Sequence, residues 1–173
     1  MSTVVPFPQS PLKPYLGEWI LDQISISRNK LSRLLLGEDG VKKLWACGSI
    51  EELRQVAADD PVLANKYQSL LRNRTESRLK IASDNIAWNP PYGHSIPSIH
   101  FVYPVVRISP EGNAVVVHSL DPRAERRGRP AGLRLRMRKN WLLMSEEYFG
   151  RQADLFPRAQ VLRFYPAKTG AVP

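Results

Sequence analysis

Three histidines, one cysteine, the adjacent glutamates Glu146 and Glu147 and one run of arginines are the residues of this 173-residue chain whose chemistry could define a function. His94, His100 and His118 stand neither at helical i, i+4 spacing nor at metal-ligand spacing with cysteines or carboxylates, so they predict no metal site. His100 and His118 fall on the two arms of one expected hairpin, whose register puts His118 nearer Tyr103; a half-buried, hydrogen-bonded histidine is the reading that this supports. Cys47 sits in Leu44-Trp-Ala-Cys-Gly48, where an apolar neighbourhood keeps a thiol protonated and inert. Glu146 and Glu147 are neighbours on a strand, so they point to opposite faces and cannot act as a paired acid and base; a solvated charge pair is expected. No nucleophile elbow, phosphate-binding glycine loop or dinucleotide fingerprint occurs. No catalytic residue, metal or cofactor is therefore assigned.

The arginines are the more informative group. The formal net charge is +9, and it is concentrated. Between Asp121 and Lys139, Arg123, Arg126, Arg127, Arg129, Arg134, Arg136, Arg138 and Lys139 stand against Asp121 and Glu125, leaving that segment at +6. A local excess of one sign raises the concentration of oppositely charged partners and speeds encounter. In Leu133-Arg-Leu-Arg-Met-Arg138 the alternation is strict, so Leu133, Leu135 and Met137 share one face and Arg134, Arg136 and Arg138 the other. With the leucine face in the core, the arginines face water. The opposite orientation would bury three cations, which is costly without partners, and would suit only a barrel whose interior reads a carboxylate or phosphate.

The elements that hold these residues are mostly strands. Residues 1–14 carry prolines at 6, 8, 11 and 14 and read as an extended tail without the basic and apolar regions of a secretory signal. A first strand is expected from Glu18 to Ile26. From Arg28 to Arg74 the period becomes helical: Leu31, Leu34 and Leu35 form a stripe that Gly37 to Gly40 ends. Ser49-Ile-Glu-Glu52 then has capping-box spacing, and Asp60-Pro61 opens a third helix with Leu63, Tyr67, Leu70 and Leu71 on its apolar face. After Arg78 the period is two, with turns at Asp84-Asn85, at Ser109-Pro-Glu-Gly112 and at Lys139-Asn140, and a loop over Asn89-Pro-Pro-Tyr-Gly-His94-Ser. Val161 to Tyr165 brings the count to about eight strands. Hairpin-joined strands without βαβ alternation predict a mainly β fold with an α insertion, as an antiparallel up-and-down barrel, since closure removes exposed edges; a sandwich is the alternative. The length suits one domain, 15–166 with its helical insertion at 28–74, followed by a flexible tail at 167–173. The single cysteine excludes an internal disulfide and fits a reducing cytoplasm, and no apolar run is long enough to span a membrane.

Gly17-Glu18-Trp19 on the opening strand resembles the G-x-W signature of lipocalin-like, or calycin, barrels. The layout extends the resemblance over Tyr15 to Tyr165, although the motif itself covers three residues. It implies that Gly17 and Trp19 are structural, with the tryptophan at the closed end beneath a late-strand arginine, Arg163 or Arg138. The insertion at Arg28 to Arg74 departs from the pattern and leaves open whether the helices plug, cover or flank the barrel.

The function expected from these features is a non-enzymatic binding or interaction module, of adaptor, chaperone or inhibitor type. Arg126, Arg127, Arg129, Arg134, Arg136, Arg138 and Lys139 would present a basic surface to an acidic protein partner. A carrier of a small anionic or hydrophobic ligand is the alternative, with Tyr92, His94, Tyr103 and His118 facing the ligand inside the barrel. A nucleic-acid binder comes third, on charge alone, because Tyr103, Trp141 and Tyr148 form no stacking strip between the basic residues. A hydrolase or isomerase using the histidine hairpin comes last.

Overall fold

The computed structural model describes residues 10–22, 30–72, 77–88, 101–147 and 161–167. A 3-10 turn (Lys13–Tyr15) precedes strand β1 (Gly17–Leu21). Helices α1 (Lys30–Ala46), α2 (Ile50–Asp59) and α3 (Pro61–Arg72) follow. Then come β2 (Arg78–Ile81), β3 (Asn85–Trp88), β4 (Phe101–Pro104), β5 (Arg107–Glu111), β6 (Ala114–Leu120), β7 (Pro130–Arg138), β8 (Trp141–Glu147) and β9 (Leu162–Pro166). All nine strands belong to one antiparallel sheet in the order β4-β3-β2-β1-β9-β8-β7-β6-β5.

The sheet is strongly curled and barrel-like. Its two edge strands, β4 and β5, follow each other in the chain. Between them Val105 N–H donates to the carbonyl of Asp84 at 2.8 Å, beside β3, and Val106 N–H to that of His118 in β6 at 2.9 Å. The inward positions of the strands, two residues apart as the pleat requires, merge into one core. It includes Trp19 and Leu21, Leu79 and Ile81, Ile86 and Trp88, Tyr103, Val115 and Val117, Leu133 and Leu135, Leu142 and Met144, and Phe164. Trp88 and Phe164 meet edge to face at 5.3 Å. Residues 101–111 thus form two strands, broken at Val105 and Val106, where the chain passes from pairing with one side of the sheet to pairing with the other.

Short turns collect at one end of the sheet, where residues 82–84, 112–113 and 139–140 link strands; at the other end lie the ends of β1, β3, β6 and β8 and the starts of β2, β4, β7 and β9. The first end is capped by the segment before β1. Leu12 is fully buried and Tyr15 nearly so, and the Trp19 indole Nε1–H donates to the Tyr15 carbonyl at 2.9 Å. Residues 10–14, expected as the end of an extended tail, are therefore part of the fold, because Leu12 and Tyr15 supply apolar surface that the open end of the core needs; residues 1–9 lie outside the described residues. Gly17 has φ 126, a conformation readily open only to glycine, and it turns the chain from this cap into β1.

The hairpin of β5 and β6 also differs from expectation. Glu111 pairs with Ala114, so the turn is Gly112-Asn113, with φ 62 at Gly112, as a two-residue turn with glycine at its first central position requires. Ser109 and Pro110 remain in the strand. An edge strand tolerates proline, since it needs no donor on its open side.

The helices pack on the outer face of the sheet. Leu36, Val41, Leu44, Leu53, Ala57 and Leu63 form a second core closed by Trp141 from β8, with Tyr165 of β9 beside it. Helix α1 does not end at Gly37–Gly40; it breaks at Gly37 (φ 70, ψ 167) and resumes to Ala46. The Ser49 hydroxyl accepts from Glu52 N–H at 3.1 Å while the Glu52 carboxylate accepts from Gly48 N–H at 2.7 Å. Asp60 Oδ1 accepts from Val62 and Leu63 N–H, both at 3.1 Å, and these caps satisfy amide donors at the helix starts that have no partner within the helix. The stripe Leu31, Leu34 and Leu35 and the residues Tyr67, Leu70 and Leu71 have side chains outside the described set.

Candidate functional site

On β7, Leu133 and Leu135 are buried inward, and Arg136 and Arg138 are exposed on the outer face. Arg134 shares that face but is engaged. Its Nη2 lies 2.6 Å from Glu111 Oε2 on β5 and its Nε donates to Glu147 on β8. Arg134 is expected to meet a partner; instead two carboxylates, one on the adjacent β8 and one on β5 beyond β6, already neutralise it from the same side of the sheet. Among the described residues no carboxylate forms a salt bridge with Arg136, Arg138 or Lys139. Arg126, Arg127 and Arg129 lie at the other end of the strand, on the 121–129 connection, with Arg127 and Arg129 exposed. At about 3.3 Å per residue, the basic residues run ~30 Å along β7, split in the middle by the Glu111–Arg134–Glu147 group.

The connection carrying Arg126, Arg127 and Arg129 is locked by a polar cluster that the spacing did not reveal. Arg123 donates through Nε and Nη2 to Asp121 at 2.9 and 2.6 Å, and through Nη1 to Glu146 at 3.3 Å. Asp121 also accepts from the backbone N–H of Arg123 at 3.0 Å. From inside the curl, the Tyr103 hydroxyl donates to Glu146 at 3.3 Å. Glu146 and Glu147 do point to opposite faces, yet each is bonded, to Tyr103 and Arg123 on one side and to Arg134 on the other, rather than merely solvated. Burial, with the neighbouring Glu146 charge, raises the Tyr103 hydroxyl well above its ordinary range, so it stays protonated and serves as a donor. For Asp121 burial works upward, but the hydrogen bonds from Arg123 outweigh it and hold the carboxyl below its usual value. A carboxyl depressed in the folded state stabilises at pH above its unfolded value, near 3.9, and that contribution is lost as pH falls through the folded value. Asp121→Asn should therefore cost about 1.5 to 3 kcal/mol at pH 7 and flatten the acid side of a plot of urea midpoint against pH. An unchanged acid limb would remove Asp121 from this role.

Tyr103 and His118 are not brought together. Tyr103 is 2% exposed and faces the core, whereas His118 faces outward opposite Arg107. Its Nε2 lies 3.0 Å from Ser109 Oγ and 3.3 Å from Arg107 Nη2. The register expected from a turn at 109–112 is displaced because the turn lies at 112–113. Tyr92, His94, His100 and Tyr148 lie outside the described residues. Among the described residues no group of three or more histidine, cysteine or acidic side chains is placed to hold a metal, and no helix is long and apolar enough to cross a membrane. Cys47 is buried, and that burial raises its thiol above the ordinary value.

Arg163 does not lie over Trp19. Phe164 shares the inner core with Trp19, so its neighbour Arg163 points to the opposite face. There its guanidinium is held by Asp22 Oδ2 at 2.8 and 2.6 Å and by the carbonyls of Leu44 (3.0 Å), Trp45 (2.8 Å) and Cys47 (3.3 Å). It sits 4.3 Å from the Trp141 ring centroid and 4.7 Å from that of Trp45. The only trace of this cluster in the sequence is a lone charge within Val161-Leu-Arg-Phe-Tyr165.

Between the start of α2 and the short-turn end of the sheet lies a cleft of about 580 Å³, walled by Trp19, Ile20, Ile50, Met137 and Tyr165, with Lys139 and Arg54 also lining it. Comparison of the chain with protein-family models, with curated proteins and with solved structures gave no match.

Proposed function

We propose that this chain is a non-enzymatic interaction module, built on a lipocalin-like layout, whose outer β7 face takes an acidic protein partner. The observation that carries this reading is the exposed pair Arg136 and Arg138 with Lys139, which have no carboxylate salt bridge among the described residues and ride on a strand anchored by Leu133 and Leu135. The inward positions favour a surface role over carriage inside the curl, since Tyr103, Phe164, Leu79, Ile86, Leu133 and Leu135 fill it. A single buried thiol suits a cytoplasmic setting.

Reversal of Arg136 and Arg138 to glutamate should leave the melting temperature nearly unchanged, because exposed charges contribute little. The same change should slow partner association and weaken its salt dependence, as interface charges act mainly on the on-rate. Capture from the native source, with and without nuclease, separates the readings. A protein partner lost on reversal and indifferent to nuclease supports the proposal; a partner lost with nuclease supports nucleic acid; retention after reversal overturns both.

A further inference from the structure

We propose that the cleft beside α2 binds a small amphipathic anion, an apolar body carrying one carboxylate or sulfonate head. The cleft volume, about 580 Å³, lies within the range of roughly 300–1,000 Å³ common to small-molecule sites, which are mostly apolar with a few placed polar groups. Trp19, Ile20, Ile50, Met137 and Tyr165 supply the apolar wall. The charged groups on it are Lys139 and Arg54 against the single carboxylate of Glu51, so the lining has an excess of positive charge. Lys139 is the better placed. A Cβ built on Gly48 would fall 2.6 Å from its Cδ and 2.9 Å from its Nζ, so its ammonium rests against the glycine that leads into α2. Lys139 is also the one described residue other than glycine with positive φ, 53. The Gly48 N–H is already taken by Glu52; the head group is met by the ammonium, with Arg54 one turn along the helix, while the body lies toward Met137 and Tyr165. This site shares Lys139 with the proposed partner face but includes neither Arg136 nor Arg138.

Titration of the full chain with decanoate and with decanol, followed by tryptophan fluorescence and calorimetry, tests the assignment. Decanoate should bind saturably at one site and perturb the indole emission, and decanol should bind about threefold to fivefold more weakly, the loss expected for one rim charge contact. Lys139→Glu and Arg54→Glu should each weaken decanoate by about tenfold while melting as the wild type does, and Ile50→Trp should block it by filling the cleft. Arg136→Glu with Arg138→Glu should leave decanoate binding unchanged, which keeps this result distinct from failure of the partner proposal. Absence of saturable decanoate binding, equal affinity for decanol, or indifference to both charge reversals would overturn it. Because Arg54 is exposed on α2, its reversal remains decisive even if Ile50→Trp does not fold.

Discussion

Arg163→Met should lower the unfolding free energy by about 3 to 5 kcal/mol, the range for breaking a buried ion pair from one side. Arg163 and Asp22 are each 2% exposed, so the substitution strands a carboxylate away from water. It also frees the carbonyls of Leu44, Trp45 and Cys47, which lie at the end of α1, where a helix has no amides left to offer and a cation is favoured. The planar guanidinium packed against the rings of Trp45 and Trp141 adds contacts that methionine reproduces only in part. Denaturant unfolding of the variant measures the total. Pairing it with Asp22→Leu should recover part of the loss, since no lone charge is then left buried. A loss below about 1 kcal/mol for Arg163→Met would mean that solvent reaches the pair and that it does not join helices to sheet.

Trp19→Ala should cost a further 3 to 5 kcal/mol class of loss on its own, about that of deleting a buried aromatic side chain. The indole stands in the inner core and also holds the Tyr15 carbonyl, so its removal both opens a cavity and releases the cap formed by Leu12 and Tyr15. Trp19→Phe separates the two contributions: it keeps most of the packing and loses the hydrogen bond, worth about 1 kcal/mol. Limited proteolysis should cut near Ser10–Tyr15 sooner in both variants. Wild-type stability for Trp19→Ala would remove the main residue-level support for a capped, barrel-like core.

The parts of this fold legible in the sequence are those governed by local rules. The alternation in β7 needs only the two-residue period of a strand, and the Ser49 and Asp60 caps need only a side-chain oxygen within reach of a first-turn amide. The mainly β class followed from many such segments read together. The parts that were not legible depend on contacts across the chain. Ser109-Pro-Glu-Gly112 satisfies a type I turn locally, but pairing of Pro110 with Val115 moves the turn to Gly112-Asn113 and carries His118 away from Tyr103. Arg134 looks as open as Arg136 until β5 and β8 bring Glu111 and Glu147 beside it. Arg163 is drawn outward from its expected tryptophan because Asp22, at the other end of the sequence, waits on the outer face.

The position of β1 within the sheet has a kinetic consequence. Strands β2–β4 and β5–β8 can each form from hairpins and near neighbours and follow each other through Val105 and Val106, but on the other side of the sheet the two groups meet only through β1 and β9. The hydrogen bond from Arg163 to Asp22 spans 141 residues, and closing so long a loop costs chain entropy before any contact compensates. During synthesis, the edge of β1 that faces β9 therefore stays unpaired until nearly all of the described chain has been made. Assembly of the complete sheet is a late event that belongs with slow, non-local β folding rather than with fast helical collapse, while the caps of α2 and α3, satisfied within a few residues, can form well before it.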